Sequence, residues 1–170
     1  MITIQQASSE EELQEARTLI RAYLDWHRKT YADFLDIIER YFATVESELA
    51  ELPGPFAPPR GRLLLAYVDG LAAGVVALQE KEQGVCIMQR MFVYPRFQGQ
   101  GIGRALANRL ITEARASGYE YMWLDTAPRQ LAAHSLYRSL GFEPIVPYFE
   151  IPADWPEELR KGILFMGLRL

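Results

Sequence analysis

Gly99, Gly101 and Gly103 alternate with other residues in the stretch YPRFQGQGIGRAL, Tyr94 to Leu106, and an apolar helical pattern begins at once. Helix N-termini present unpaired N–H groups and a partial positive charge. Glycines let a pyrophosphate come close to those groups. The spacing therefore predicts a phosphate cradle, although a ligand-free tight turn fits the same residues. Two nucleotide templates fit poorly. A Walker-type loop needs Lys and then Ser or Thr after its last glycine, and neither follows here. A dinucleotide fingerprint needs a glycine where Arg104 stands. Asp125 does imitate its ribose-binding acid, but too little chain follows for the rest of a doubly wound sheet.

The other chemistry-bearing residues are scattered. His27 and His134 have no metal-ligand spacing around them, so no metal is expected. His27 lies on the apolar stripe of a helix and reads as a packed histidine, while His134 reads as surface. Cys86 is the single cysteine and reads as a buried strand residue. Glu80 and Glu82 are placed to serve as a base through a water, and Asp125 either serves as a base or caps the helix expected at Pro128.

The elements that must position these groups can be read from periodicity. Ile2 to Gln6 alternates as a half-buried strand does. Ser8 or Ser9 caps a helix carrying Leu13, Ala16, Ile20, Tyr23, Leu24 and His27. A second helix is expected from about Asp33 to Leu49. Arg62 to Tyr94 reads as an antiparallel meander turning at Asp69-Gly70 and Glu82-Gln83-Gly84. A helix follows from Gly101 to Ser117, stopped by Gly118. Then come the strand YEYMWLDT, a helix from Pro128 to Leu140, and strands at Phe142–Phe149 and Gly162–Leu170. The order βααβββαβαββ predicts a mixed α/β fold: a mostly antiparallel central sheet flanked by helices on both faces. LPGPFAPPRG and EIPADWPEELRKG are candidate lids.

The 170 residues suffice for a single domain with a core. A formal charge of −4 argues against a general nucleic-acid binder. The start lacks a signal-peptide pattern, and no apolar run approaches roughly 18 residues. These features predict a cytoplasmic protein with neither membrane nor nucleic acid as partner.

The motifs resemble those of the GNAT superfamily of N-acetyltransferases. Gln98-Gly99-Gln100-Gly101-Ile102-Gly103 looks like the family's Q/R-x-x-G-x-G/A signature, and AAHSLYRSLGF, Ala132 to Phe142, looks like its A-x-x-x-Y-x-x-x-G-F block. The resemblance implies an acetyl-CoA co-substrate and no metal. It implies pyrophosphate held by N–H groups over Gln98 to Arg104, and pantetheine laid beside Met91, Phe92 and Val93. Gln130 stands at the family's Asn position. Ala133 leaves space for the cofactor, and Arg104 and Arg138 could meet phosphates. Relatives often form homodimers.

Acetyl transfer to an amine needs a free amine, a stabilised oxyanion and a tolerable thiolate leaving group. By resemblance a backbone N–H near Phe92 serves the oxyanion, and Tyr137 serves the leaving group. A tyrosine of pKa about 10 protonates a thiolate of about 8.5 uphill, by roughly 2 kcal/mol. Tyr137 is therefore expected to act mainly as a hydrogen-bond donor. The base stays open, because Ile87 occupies the place where many relatives carry an acid. Tyr23, Trp26, Tyr31, Gln89 and Tyr148 are candidates for the acceptor pocket. The expected function is direct acetyl transfer from acetyl-CoA to a primary amine of a small molecule or peptide. Use of a longer acyl-CoA, or a non-catalytic CoA-binding module, are the alternatives.

Overall fold

Leu63, Leu64, Leu65 and Ala66 form an unbroken apolar run, the pattern of a strand covered on both faces. The computed structural model describes residues 1–170 and fulfils that pattern. The elements are β1 (Ile2–Gln6), α1 (Glu10–Thr30), α2 (Leu35–Tyr41), α3 (Val45–Ala50), β2 (Arg62–Val68), β3 (Leu71–Glu82) and β4 (Val85–Val93). They continue as α4 (Ile102–Ala116), β5 (Tyr121–Thr126), α5 (Leu131–Ser139), β6 (Glu143–Pro144), α6 (Glu157–Gly162) and β7 (Leu164–Arg169). The seven strands form one sheet in the order β1-β2-β3-β4-β5-β7-β6. Only the β4–β5 pair is parallel, so the sheet is mixed and mostly antiparallel, as expected.

Strand alternation divides the core in two. Leu63, Leu65, Val75 and Ala77 pack with the side of the sheet that carries α1, α2 and α3. Leu64, Ala66, Val76 and Leu78 pack with α4 and α5 on the other side. Each fully buried leucine contributes roughly 1.5–3 kcal/mol. No helix is long and apolar enough to cross a membrane.

Two local features create an opening in the sheet. The parallel ladder between β4 and β5 runs only from Val85–Tyr121 to Ile87–Trp123. Just beyond it β4 bulges: Val75 pairs with Phe92 but Ala77 with Gln89, so β4 carries one extra residue. Arg90 within this bulge has φ 56, a left-handed conformation that is uncommon for a side-chain-bearing residue. A bulge bends its strand, and β4 and β5 no longer pair with each other from Met88 and Leu124 onward.

Several expected boundaries move. The expected helix from Asp33 to Leu49 is broken into a 3-10 turn at Ala32–Phe34, then α2 and α3. Phe42 leaves helical geometry at φ −100, ψ 17. Its ring then packs 5.1 Å from His27 and under the Arg90 guanidinium at 5.8 Å. Tertiary packing has overridden helix propensity here. α5 starts at Leu131 rather than Pro128, because Gln130 closes the preceding turn: its Oε1 accepts from Ala127 N–H and Thr126 Oγ1, both at 2.9 Å. The expected strand Phe142–Phe149 shrinks to Glu143–Pro144, and the chain turns Tyr148 and Phe149 onto Phe165. His134 is buried rather than surface, with Nε2 2.9 Å from the Ala127 carbonyl oxygen. Cys86 is buried as expected, and burial pushes its thiol up to about 12.

Candidate active site

The two long helices begin in opposite ways. α1 has a complete capping box, with Ser9 accepting from Glu12 N–H, and three glutamates in its first turn. α4 has no side-chain cap and no acid in its first turn; its N-cap is Gly101, at φ 80. The first-turn N–H groups of Ile102, Gly103 and Arg104 therefore have no intrahelical partner. Gly99, at φ 76, and Gly101 adopt the left-handed conformation that a side chain resists. A Cβ at either would meet nothing within 4 Å, so the space before the helix is open. Such a terminus favours an anion.

This turn forms one end of a groove of about 540 Å³. Met91, Phe92 and Val93 of β4 line one wall, and Gln130, Ala133 and Leu136 line the opposite wall. Gln98, Gly99, Gly101, Ile102, Gly103 and Arg104 line the end. Gln98 Nε2 donates to the Val93 carbonyl at 3.0 Å, and Arg104 Nη2 donates to Ser139 Oγ at 2.7 Å. The fold thus brings together all but three of the sequence-predicted binding residues in this groove. Gln100 is exposed, its Nε2 3.4 Å from the Arg96 carbonyl, and Arg138 is exposed on α5; neither lines the groove. Tyr137 lies one step further in, lining the opening between β4 and β5 with Ala133, Met91, Arg90 and Asp125.

The direction of the β4 backbone sorts the N–H groups near Phe92. Tyr94 N–H donates to the Ala73 carbonyl at 2.9 Å, and Phe92 pairs with Val75. Alternation along the strand turns the N–H of Phe92 toward β3 as well. The N–H groups of Met91 and Val93 face the open edge instead. The Phe92 N–H is thus directed at β3 rather than at the opening.

Tyr137 is buried and packs 5.8 Å from Phe142. Burial raises its hydroxyl pKa above the ordinary tyrosine value. It is a weak acid and a competent hydrogen-bond donor at neutral pH. Tyr23 lies nearby, and burial pushes it up to about 12.

Asp125 does not cap a helix. Its Oδ1 accepts from the Tyr148 hydroxyl at 2.6 Å and its Oδ2 from the Tyr41 hydroxyl at 2.8 Å. Burial, and then the neighbouring Asp125 charge, raise both tyrosine pKa values, so both hydroxyls stay protonated as donors. Asp125 lines the same opening as Tyr137. Glu80 is instead tied to Arg60 at 2.6 Å on the outer rim.

Among the acceptor-pocket candidates, Tyr23 and Trp26 line the groove. Gln89 donates nothing but accepts from Gln79 Nε2 at the outer rim. Tyr31 is fully buried and its hydroxyl accepts from Arg129 N–H at 3.0 Å. His27 is packed as expected; burial, then the Arg90 charge, lower it to about 4, so it is neutral at pH 7. Trp155, Leu159 and Ile163 of the segment after β6 cover an inner cavity beside Asp125, whereas no residue from Pro53 to Gly61 lines these cavities.

Two residues that line the opening, Tyr41 and Arg90, are not singled out by the sequence. Tyr41 falls on the apolar side of the expected Asp33–Leu49 helix. Arg90 was visible as a lone charge inside the apolar strand VCIMQRMFV; it forms a bidentate pair with Glu48, both contacts at 2.9 Å.

The Acetyltransferase (GNAT) family matches residues 18–142 of the chain. An uncharacterized N-acetyltransferase of Schizosaccharomyces pombe is 34% identical over 131 residues, covering 71% of this chain and 80% of that protein. Human N-acetylaspartate synthetase is 34% identical over 128 residues, covering 75% of this chain and 37% of the synthetase. The chain thus spans well under half the length of that relative. The PaiA N-acetyltransferase of Thermoplasma acidophilum, solved in complex with coenzyme A, superposes with a TM-score of 0.72 at 16% identity. That alignment covers 100% of this chain and 99% of the other, and it shows the fold.

Proposed function

The chain belongs to the acetyltransferase (GNAT) family, and we propose that it moves an acetyl group from acetyl-CoA directly onto a primary amine of a small molecule or peptide. The observation that carries this reading is a continuous path. An uncapped helix terminus, an unpaired strand edge, a buried tyrosine and a carboxylate follow one another along the groove and the opening between β4 and β5.

The groove suits CoA on its own geometry. The bare N–H groups of α4 would hold the pyrophosphate, and Gly99 and Gly101 put no Cβ in its way. The open edge of β4 at Met91 and Val93 would pair with the pantetheine amides as an added strand would. Bound acetyl-CoA supplies the activated acetyl group. The N–H of Met91 or Val93 supports the charge that develops on the carbonyl oxygen; losing one such donor typically costs about 3–4 kcal/mol of barrier. Tyr137 donates a hydrogen bond to the departing sulfur.

Asp125 meets the amine. An alkylammonium of pKa about 10.4 costs roughly 4.6 kcal/mol to deprotonate at pH 7. A carboxylate in a partly closed opening binds the ammonium form and takes one proton from it, freeing the nitrogen lone pair that then attacks the acetyl carbonyl. With two tyrosine hydroxyls already donating to it, Asp125 is held in one orientation.

The experiment is free-thiol release from acetyl-CoA across an amine panel, with the acetylated product identified by mass. Transfer to at least one primary amine is expected. Tight CoA binding without transfer to any amine would favour the binding-module alternative.

A further inference from the structure

Two cavities leave Asp125 and Tyr41 in different directions, apart from the opening that holds Tyr137. One is closed and small, about 50 Å³, with Ile37, Ile38, Phe42, Trp155, Leu159 and Ile163 in its walls. The other is open and larger, about 460 Å³, with Gln79, Gln89, Glu80 and Lys81 in its walls. Resting on the acetyl-transfer reading above, we propose that the acceptor is an α-branched primary amine with two different substituents. A short aliphatic group sits in the closed cavity, and an uncharged polar chain leaves through the open one. This is the chemistry of an amino-acid amide, or of a peptide N-terminus whose first residue is small and aliphatic.

Size and charge both carry the argument. A cavity of about 150 Å³ is needed to take benzene, and the closed cavity is a third of that. On the same scale it admits about two carbons and rejects a phenyl ring. Its walls hold one carboxylate, Asp125, and no lysine or arginine. Arg90, which borders the reaction opening, is already held by Glu48 through two hydrogen bonds of 2.9 Å. A carboxylate side group would enter with no counter-ion, and burying an unpaired charge is costly. In the open cavity Glu80 is paired with Arg60, and Lys81 is exposed with its Nζ 5.9 Å from the Tyr148 ring. The side-chain amides of Gln79 and Gln89 can instead hydrogen-bond a passing carboxamide.

The test compares L-2-aminobutanamide, glycinamide, L-phenylalaninamide, L-aspartate and propylamine as acceptors for the full chain. Aminobutanamide should exceed glycinamide in kcat/KM by about 30-fold, within the range that one or two methylenes provide. It should exceed phenylalaninamide by about ten-fold or more, and propylamine, which lacks only the carboxamide, by about ten-fold. Aspartate should be the poorest. Leu159→Ala should shift the ratio toward phenylalaninamide by about ten-fold. Ile38→Ala opens the same cavity from the other side and replaces it if that variant does not fold. Calorimetric titration of aminobutanamide and glycinamide into CoA-saturated protein reads the subsite without turnover. Equal values for glycinamide and aminobutanamide, or an unchanged ratio in both variants while amines are acetylated, overturns the subsite and leaves acetyl transfer standing. Aminobutanamide binding with no thiol release on any amine supports the subsite and overturns the transfer reading. Neither binding nor turnover overturns both.

Discussion

The Tyr148 hydroxyl donates to Asp125 Oδ1 at 2.6 Å, tying the segment after β6 to the end of β5. The other oxygen accepts from Tyr41, at the end of α2. A carboxylate clamped from both sides keeps one position at the meeting point of three cavities. Asp125→Asn should lower kcat/KM for the amine by about 100-fold or more, with CoA affinity unchanged. Tyr148→Phe should cost about ten-fold, since a hydrogen bond to a charged group is worth about 1.5–3 kcal/mol. Steady-state kinetics in both substrates, with CoA titration alongside, checks both variants.

Gly101 is the residue on which α4 opens. No atom lies within 4 Å of a Cβ built there, so the cost of Gly101→Ala is conformational, about 1–2 kcal/mol at φ 80. The turn relieves that strain by rotating its N–H groups away from the groove. CoA affinity should fall by about ten-fold or more while the melting temperature drops only a few degrees. Calorimetry with CoA and thermal unfolding separate the two effects.

Arg90 and Glu48 form a pair with side-chain exposures of 13% and 18%, shielded enough that solvent does not readily replace a lost partner. Glu48→Gln leaves the guanidinium uncompensated. Removing one partner of a buried pair costs about 3–5 kcal/mol, so a loss of about 3 kcal/mol is expected. Urea unfolding of the variant against the parent measures it.

His27 sets an acid-dependent part of stability. Burial lowers its pKa to about 4, against about 6.5 when unfolded. Below pH 6.5 the unfolded chain takes up a proton that the folded chain refuses, so stability falls as pH drops from 6.5 to 4. The full contribution is about 3 kcal/mol. His27→Phe, which keeps an aromatic ring beside Tyr23, Tyr31 and Phe42, should show a flatter loss over that window. Urea unfolding at pH 7 and pH 4.5 gives the difference, and carboxylates that titrate in both proteins cancel.

Much of this arrangement is legible in the sequence. The glycine spacing placed the turn, and the strand runs placed the sheet, because backbone conformation and two-sided burial are local signals. The groove residues on β4 and α5 came from motifs. What escaped was non-local. Asp125 was visible as an acid at a strand end, but its partners Tyr41 and Tyr148 lie 84 and 23 residues away in sequence. Tyr41 reaches it only because the helix breaks at Phe42, where aromatic packing outweighs an otherwise helical pattern. The outward turn of the Met91 and Val93 N–H groups depends on strand register, which the sequence pattern leaves open by one residue.

The central claim is acetyl transfer with Tyr137 assisting departure of the sulfur. Its most direct test is kcat for Tyr137→Phe with both substrates saturating and CoA affinity measured in parallel. The account predicts kcat lowered by about 100-fold with CoA affinity within about two-fold of the parent. An unchanged kcat would contradict it.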